Sequence, residues 1–246
     1  MSSMRFDYIH SVDIGIVRFN RSSKRLEILL TKRDSNSDTF PDQWALPGVI
    51  VNSLPETPKE SIKAALERLL MSSKVGRSPK YIEQVHTTDE NNDTRDPRCW
   101  SSSTYYIGVV DDTFEEKENQ EFTDLLDIVT GKKLLPFDHN LLCSRIFERL
   151  QSKTLYTNIH FFLIPDEFAI KDVLNVATAI LGYPVQQTSI RVRCTTLLKA
   201  NVIHDTGRTI KDKSTTGPAS TVYQLADKTS LYFFDRAMEQ PKKPQE

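Results

Sequence analysis

The spacing of apolar residues predicts a chain of mixed α and β structure. Residues 11–19 (SVDIGIVRF) alternate apolar and polar positions and are rich in β-branched types, the period of a strand. A polar turn at 20–24 leads into 25–32 (RLEILLTK), a returning strand that completes a hairpin. After a polar loop at 34–43, residues 44–51 are apolar and strand-like, and a loop with two prolines fills 52–59. Within 60–73, Ile62, Ala65, Leu66, Leu69 and Leu70 recur at spacings of three and four, which predicts a helix. Strands follow at 81–87 and 104–110, joined by a polar loop, and a second helix at 138–151 carries Leu141, Leu142, Ile146, Phe147 and Leu150.

The pattern changes after Leu150. Residues 169–181 predict a helix stopped by Gly182 and Pro184. Residues 187–200 predict another, with Thr188 or Ser189 as its N-cap. Residues 202–206 and 221–225 then form a strand pair around a charged, wing-like loop. Two helices followed by a hairpin with a basic tip is the order of a winged helix–turn–helix. With 246 residues the chain suits two domains, expected at 1–150 and 151–238, with a disordered tail at 239–246.

Composition narrows the class. Hydrophobic content of 38% and charged content of 26% fit a soluble globular protein, and no run of eighteen apolar residues predicts a membrane span. The first residues lack an apolar segment of signal-peptide length, so a cytoplasmic location is expected. Cys99, Cys143 and Cys194 are far apart and odd in number, which favours reduced thiols over a disulfide frame or a zinc site. The net charge of −1 hides an asymmetry: from Gln151 onward twelve basic residues face nine acidic ones. Within 186–213 six basic residues (Arg191, Arg193, Lys199, Arg208, Lys211, Lys213) face two acidic ones, a local excess suited to a polyanion.

The stretch Gln43-Trp44-Ala45-Leu46-Pro47-Gly48, with residues 60–74 behind it, resembles the start of a Nudix box. That loop–helix unit holds metal and pyrophosphate in nucleotide-diphosphate hydrolases, using carboxylates that converge on one helix face. Glu60 and Arg68 stand eight apart, as the box requires, and Leu70 fills its apolar position. Leu69 replaces the glutamate after the arginine, Ser72 and Ser73 replace the paired glutamates, and Val75 replaces the later glycine. The leading glycine position falls on Leu54, with Gly48 and a longer loop instead. No catalytic residue and no metal site is therefore assigned. Glu60 and Glu67, seven apart, are the one substitute pair, and an active hydrolase with unorthodox ligands is the alternative reading.

What is retained suits recognition. Arg33 ends a strand and Trp44 follows a polar loop, so the two can clamp a nucleotide; Trp44 serves equally well as core. Arg95, Asp96 and Arg98, followed by Trp100, occupy a long loop where arginines can meet phosphate oxygens, or form an ordinary charged turn. These pieces, with PFDH at 136–139 and the basic half behind them, keep their order from about Val12 to Leu225. In that order they resemble the Nudix-related transcriptional regulators, the NrtR family. The resemblance implies an α+β fold: a Nudix α/β/α sandwich with a mixed sheet, then a winged helix–turn–helix domain. It implies an inactive Nudix domain that senses ADP-ribose or a related NAD metabolite near Arg33, Trp44, Arg95, Asp96, Arg98, Trp100 and His139. It also implies a homodimeric repressor of NAD-metabolism genes, without a cofactor, on a palindromic double-stranded DNA operator. Val49, where the family carries a second glycine, and the long loop at 51–59 depart from the pattern at the ligand site.

In the basic half, Gln187, Thr188, Ser189 and Arg191 fall in the first turn of the expected recognition helix, with Arg193 and Lys199 further along. Ile190, Val192, Leu197 and Leu198 are expected to face the core, and Arg208, Lys211 and Lys213 to lie on the wing against DNA phosphates. A winged helix that contacts protein or RNA is the rival from another class.

Overall fold

The structure, a computed structural model, describes residues 8–52, 58–89, 95–211, 219–226 and 230–238. Strand β1 (Ile9–Asn20) is its axis. It pairs antiparallel with β2 (Arg25–Lys32), and β3 (Trp44–Ala45) adds to the far side of β2. β4 (Gly48–Ile50) pairs with the start of β1, and β5 (Tyr81–Thr88) borders β6 (Ser101–Val109), which runs parallel to β1. β7 (Gln120–Asp124) pairs with β2, giving a seven-stranded mixed sheet.

Helices cover both faces. Val12, Ile14 and Ile16 pack in one cluster with Ala65, Leu69 and Leu70 of α1 (Ile62–Met71). On the other face Val17 and Phe19 join α2 (Leu125–Val129) and α3 (His139–Tyr156). The alternation that suggested a half-buried strand thus conceals one buried throughout from Val12 to Val17. Its small and polar positions, Asp13 and Gly15, lie on the α3 side. A Cβ on Gly15 would stand 2.6 Å from Ile146 Cδ1, so α3 rests on the strand backbone itself. This is the expected α/β/α sandwich.

Several boundaries differ from expectation. The apolar stretch at 44–51 is two short strands broken by Leu46-Pro47. Helix α1 begins at Ile62 because Ser61 caps it, its Oγ accepting from the Ala64 N–H at 3.1 Å, so Glu60 stands just outside. β7 and α2 were not foreseen; they are short, and Asp124 joins them by accepting from the Leu126 N–H at 2.9 Å. Helix α3 runs through residue 150, where the domain boundary was expected, to Tyr156. Its Leu142, Ile146 and Leu150 belong to a core that continues through Phe161 and Phe162 to Val173, Ile190 and Leu197, so apolar packing gives the chain no reason to break there.

The second half follows the winged-helix order. After β8 (Glu167–Phe168), α4 (Ile170–Leu181) ends at Gly182, whose φ of 74° is the left-handed cap that glycine permits. Helix α5 (Gln187–Lys199), β9 (Ile203–Ile210) and β10 (Ser220–Leu225) complete it, the strands ordered β8-β10-β9. The N-cap of α5 is Gln186, not Thr188 or Ser189, which lie inside the first turn. Val192 is exposed rather than in the core, and β9 extends to Ile210, so Arg208 sits on a strand. Residues 230–238 return to the end of α3: Phe234 and Met238 donate their N–H groups to the Tyr156 and Leu155 carbonyls, both at 2.8 Å. The expected tail at 239–246 and Lys213 lie outside the described residues. Cys99, Cys143 and Cys194 form no disulfide with one another, and among the described residues no helix is long and apolar enough to cross a membrane.

Candidate functional site

A cavity of about 450 Å³ opens beside the start of β1, where the loop after β2, strand β4, the segment 95–101 and the start of α3 meet. The WALPG and PFDH motifs converge there. The Leu46 N–H donates to His139 Nδ1 at 3.0 Å, which leaves the ring proton on Nε2, 3.9 Å from Asp13 Oδ1. Complete burial pushes the His139 pKa down to about 4, so the ring is neutral at physiological pH. Asp13 accepts hydrogen bonds from Ser11 and Ser103. A Cβ on Gly48 would fall 2.0 Å from its carboxylate, which is why a glycine stands in this motif.

Two features set the cavity apart. Asp138 is the N-cap residue of α3 by position, yet its side chain makes no capping bond. Both its oxygens are buried without a hydrogen-bond partner, and burial raises its pKa to about 6 against the pull of Arg95, whose Nε lies 3.3 Å away. Backbone strain also clusters here: Phe40, Asp42 and Phe137 hold positive φ of 48°, 57° and 58°. Phe137 meets Phe40 edge-on at 4.8 Å and lies under the Arg33 guanidinium at 4.9 Å.

Of the residues expected to bind ligand, Arg33, Arg95, Asp96, Arg98 and His139 line the cavity. Arg33 also ties its own loop by donating to the Thr39 and Phe40 carbonyls. Asp96 holds Arg98 in a two-pronged ion pair, 2.9 and 2.7 Å. Arg95 is 4% exposed and donates to the Thr88 carbonyl. Trp44 and Trp100 are not in the wall. Trp44 packs partly buried against the α3-side core, and Trp100 is 62% exposed. Asp13, Arg68, Lys74, Phe137 and Asp138 also line the cavity and were not expected to bind ligand, although Arg68 is the box arginine and Phe137 and Asp138 belong to the PFDH motif.

The surviving Nudix-box pair is a clamp. Arg68 donates to both oxygens of Glu60 at 2.8 Å and to the Ile50 carbonyl at 2.9 Å, while Glu60 accepts from the Asn52 N–H. Ser72 returns its hydroxyl to the Leu69 carbonyl, and Glu67 faces Lys63 at the surface. Neither serine nor Glu67 lines the cavity, and among the described residues no three His, Cys, Asp or Glu side chains are grouped to hold a metal.

On the opposite half, α5 buries Ile190, Arg193, Cys194 and Leu197 and turns Gln187, Thr188, Arg191 and Lys199 outward, with Ser189 half-buried. Arg193, expected at the DNA face, is 5% exposed. It donates to the carbonyls of Leu155, Thr157 and Arg236, and its guanidinium lies 4.1 Å from the Phe234 ring centre. It therefore fastens residues 230–238 to α3. Arg208 is exposed and ion-paired with Glu167, and Lys211 is exposed. A groove of about 430 Å³ runs between Lys171, α5 and residues 219–223, with Gln187, Arg191 and Thr195 in its wall.

Fold and cavity together define a class: a Nudix-type domain with a degenerate box, followed by a winged helix–turn–helix. The chain resembles the Nudix-related transcriptional regulators along nearly its whole length. It is 28% identical over 237 residues, 94% of this chain and 88% of the relative, to a protein of Acinetobacter baylyi described as an ADPR responsive transcriptional repressor NtrR. Shewanella oneidensis NrtR, solved alone and complexed with a 27mer DNA, superposes with a TM-score of 0.75 at 28% identity, covering 93% of this chain and 99% of that one. A MutT/nudix family protein of Enterococcus faecalis shares the fold, with a TM-score of 0.59 at 20% identity over 92% and 89% of the chains. No family model matches the chain.

Two predictions follow from these placements. Arg193→Ala lowers stability by about 2–4 kcal/mol, because buried carbonyls lose their donor, whereas exposed Arg191→Ala stays within about 0.5 kcal/mol. Urea midpoints check this, and equal losses would contradict the two roles. Arg68 holds the Glu60 pKa down to about 2, below its unfolded value, so the stabilisation is full above that unfolded value and fades as pH falls toward 2. The stability gap between wild type and Glu60→Gln should accordingly be widest near neutrality, begin to narrow below about pH 4.5 and close only near pH 2; a gap that is flat with pH would contradict the clamp.

Proposed function

We propose that the chain is a DNA-binding transcriptional regulator whose Nudix-type cavity senses ADP-ribose or a related NAD metabolite without hydrolysing it. The carrying observation is that one fold holds a cation-rimmed cavity, stripped of the box's paired glutamates, together with a helix that turns Gln187, Thr188, Arg191 and Lys199 outward. The Acinetobacter relative's description as ADPR responsive and the Shewanella relative's complex with DNA support both halves of this reading.

Arg33, Arg68, Lys74 and Arg98 supply the positive charge that a pyrophosphate needs. The Asp138 carboxylate, ion-paired with Arg95 but without a hydrogen bond, accepts from ligand hydroxyls, which relieves a buried group. Helix α3 is the coupling element. It starts at Asp138 and His139 in the cavity wall and ends where Arg193 fastens the final segment to the winged helix. A ligand shifts this element only by as much as it prefers one arrangement over the other. The protein acts as a homodimer that reads a palindrome, as two-fold regulators of this architecture do. It represses genes of NAD metabolism and is released by ligand, the Nudix-type half sensing and the winged-helix half binding DNA.

The test is selection of bound sequences from a random duplex pool, with and without ADP-ribose, alongside an assay for magnesium-dependent release of AMP from ADP-ribose. The expected result is an enriched palindrome whose recovery changes with ADP-ribose, and no AMP. A folded protein that enriches no sequence, or one that releases AMP steadily, would overturn the reading.

A further inference from the structure

Helix α5 presents an apolar residue where a polar one is the norm. At 3.6 residues per turn, Thr188, Arg191, Val192, Thr195 and Lys199 fall within an arc of about 100°, opposite the buried Ile190, Arg193, Cys194 and Leu197. Val192 lies within that outward arc and is 66% exposed. The Thr195 hydroxyl donates back to the Arg191 carbonyl at 3.0 Å, so it is engaged within the helix and its methyl is the group left for a partner. Val192 and Arg191 therefore form the two edges of the stripe, with Thr188 and Thr195 between them and Lys199 at its far end.

We propose that Val192, flanked by the methyls of Thr188 and Thr195, reads the 5-methyl groups of thymine in the major groove and is the specificity-determining residue at those positions. This rests on the DNA-binding role proposed above. Thymine is the base that offers an apolar group in the major groove, and alkyl side chains are its natural complement; cytosine, adenine and guanine offer donors and acceptors that a valine cannot use. Dimensions agree. Residues 188 to 195 span about 10 Å along the helix axis, the length of about three base steps, so the stripe covers two or three neighbouring positions in a half-site. Arg191 fixes the register by meeting phosphate or a guanine edge beside them.

The experiment replaces each thymine of the selected operator, one at a time, with deoxyuridine, which keeps the pairing and removes only the methyl. Affinities are measured for wild type and for Val192→Ala, a surface change checked for unaltered thermal stability. One or two positions per half-site should weaken wild-type binding roughly fourfold, the factor that one lost methyl contact gives. Val192→Ala should bind the thymine and uracil forms equally there. If no position is sensitive, or if Val192→Ala keeps the uracil penalty, the inference is overturned while the regulator reading stands. A folded protein that binds no duplex overturns both.

Discussion

The hydrogen bond from the Leu46 N–H to His139 Nδ1 is the constraint on which the site depends. It fixes a neutral imidazole in a fully buried position, with Asp13 facing its other nitrogen across 3.9 Å. That bond sets where α3 begins against β1, and Gly48 and Gly15 allow the backbone and the helix to come close. From this start α3 runs eighteen residues to Tyr156, and the winged-helix half is assembled around its far end. The cavity wall and the platform for α5 are thus two ends of one rigid element.

The site carries costs that the rest of the fold offsets. Asp138 keeps a buried carboxylate without a hydrogen bond, and three residues other than glycine sit at positive φ beside the cavity. Such groups persist where the surroundings over-determine them, and they concentrate where a ligand is to be met. The Nudix-box pair Glu60 and Arg68 belongs to that surrounding structure. It ties the stretch before α1 to β4 through Asn52 and Ile50, so the box persists as a brace for the cavity.

The long periodic elements were legible from sequence because burial of one stripe dictates their spacing: β1, β2, α1, α3, α4 and α5 stand within a few residues of expectation, although the end of α3 does not. The short β7 and α2 carry too few residues to show a period. Side-chain roles were harder where neighbours in sequence diverge in space. Val192 and Arg193 are adjacent, and hydropathy puts the valine inside and the arginine out; the carbonyls of Leu155, Thr157 and Arg236, brought together from three segments, reverse that order. Asp13 read as the polar phase of an ordinary strand and Asp138 only as the start of the helix expected at 138–151, since only the tertiary fold shows what each carboxylate faces. Trp44 and Trp100 were drawn to the site by their chemistry, but one packs on the core and the other points to solvent.

The central claim is that the cavity and the α5 face are energetically linked through one chain. Linkage is reciprocal, so calorimetric titration of ADP-ribose into the free protein and into its saturated operator complex tests it most directly. A sensor of this kind binds ADP-ribose more tightly when free of DNA, by the same factor by which ADP-ribose weakens operator binding. Equal affinity for ADP-ribose in the two states would contradict it.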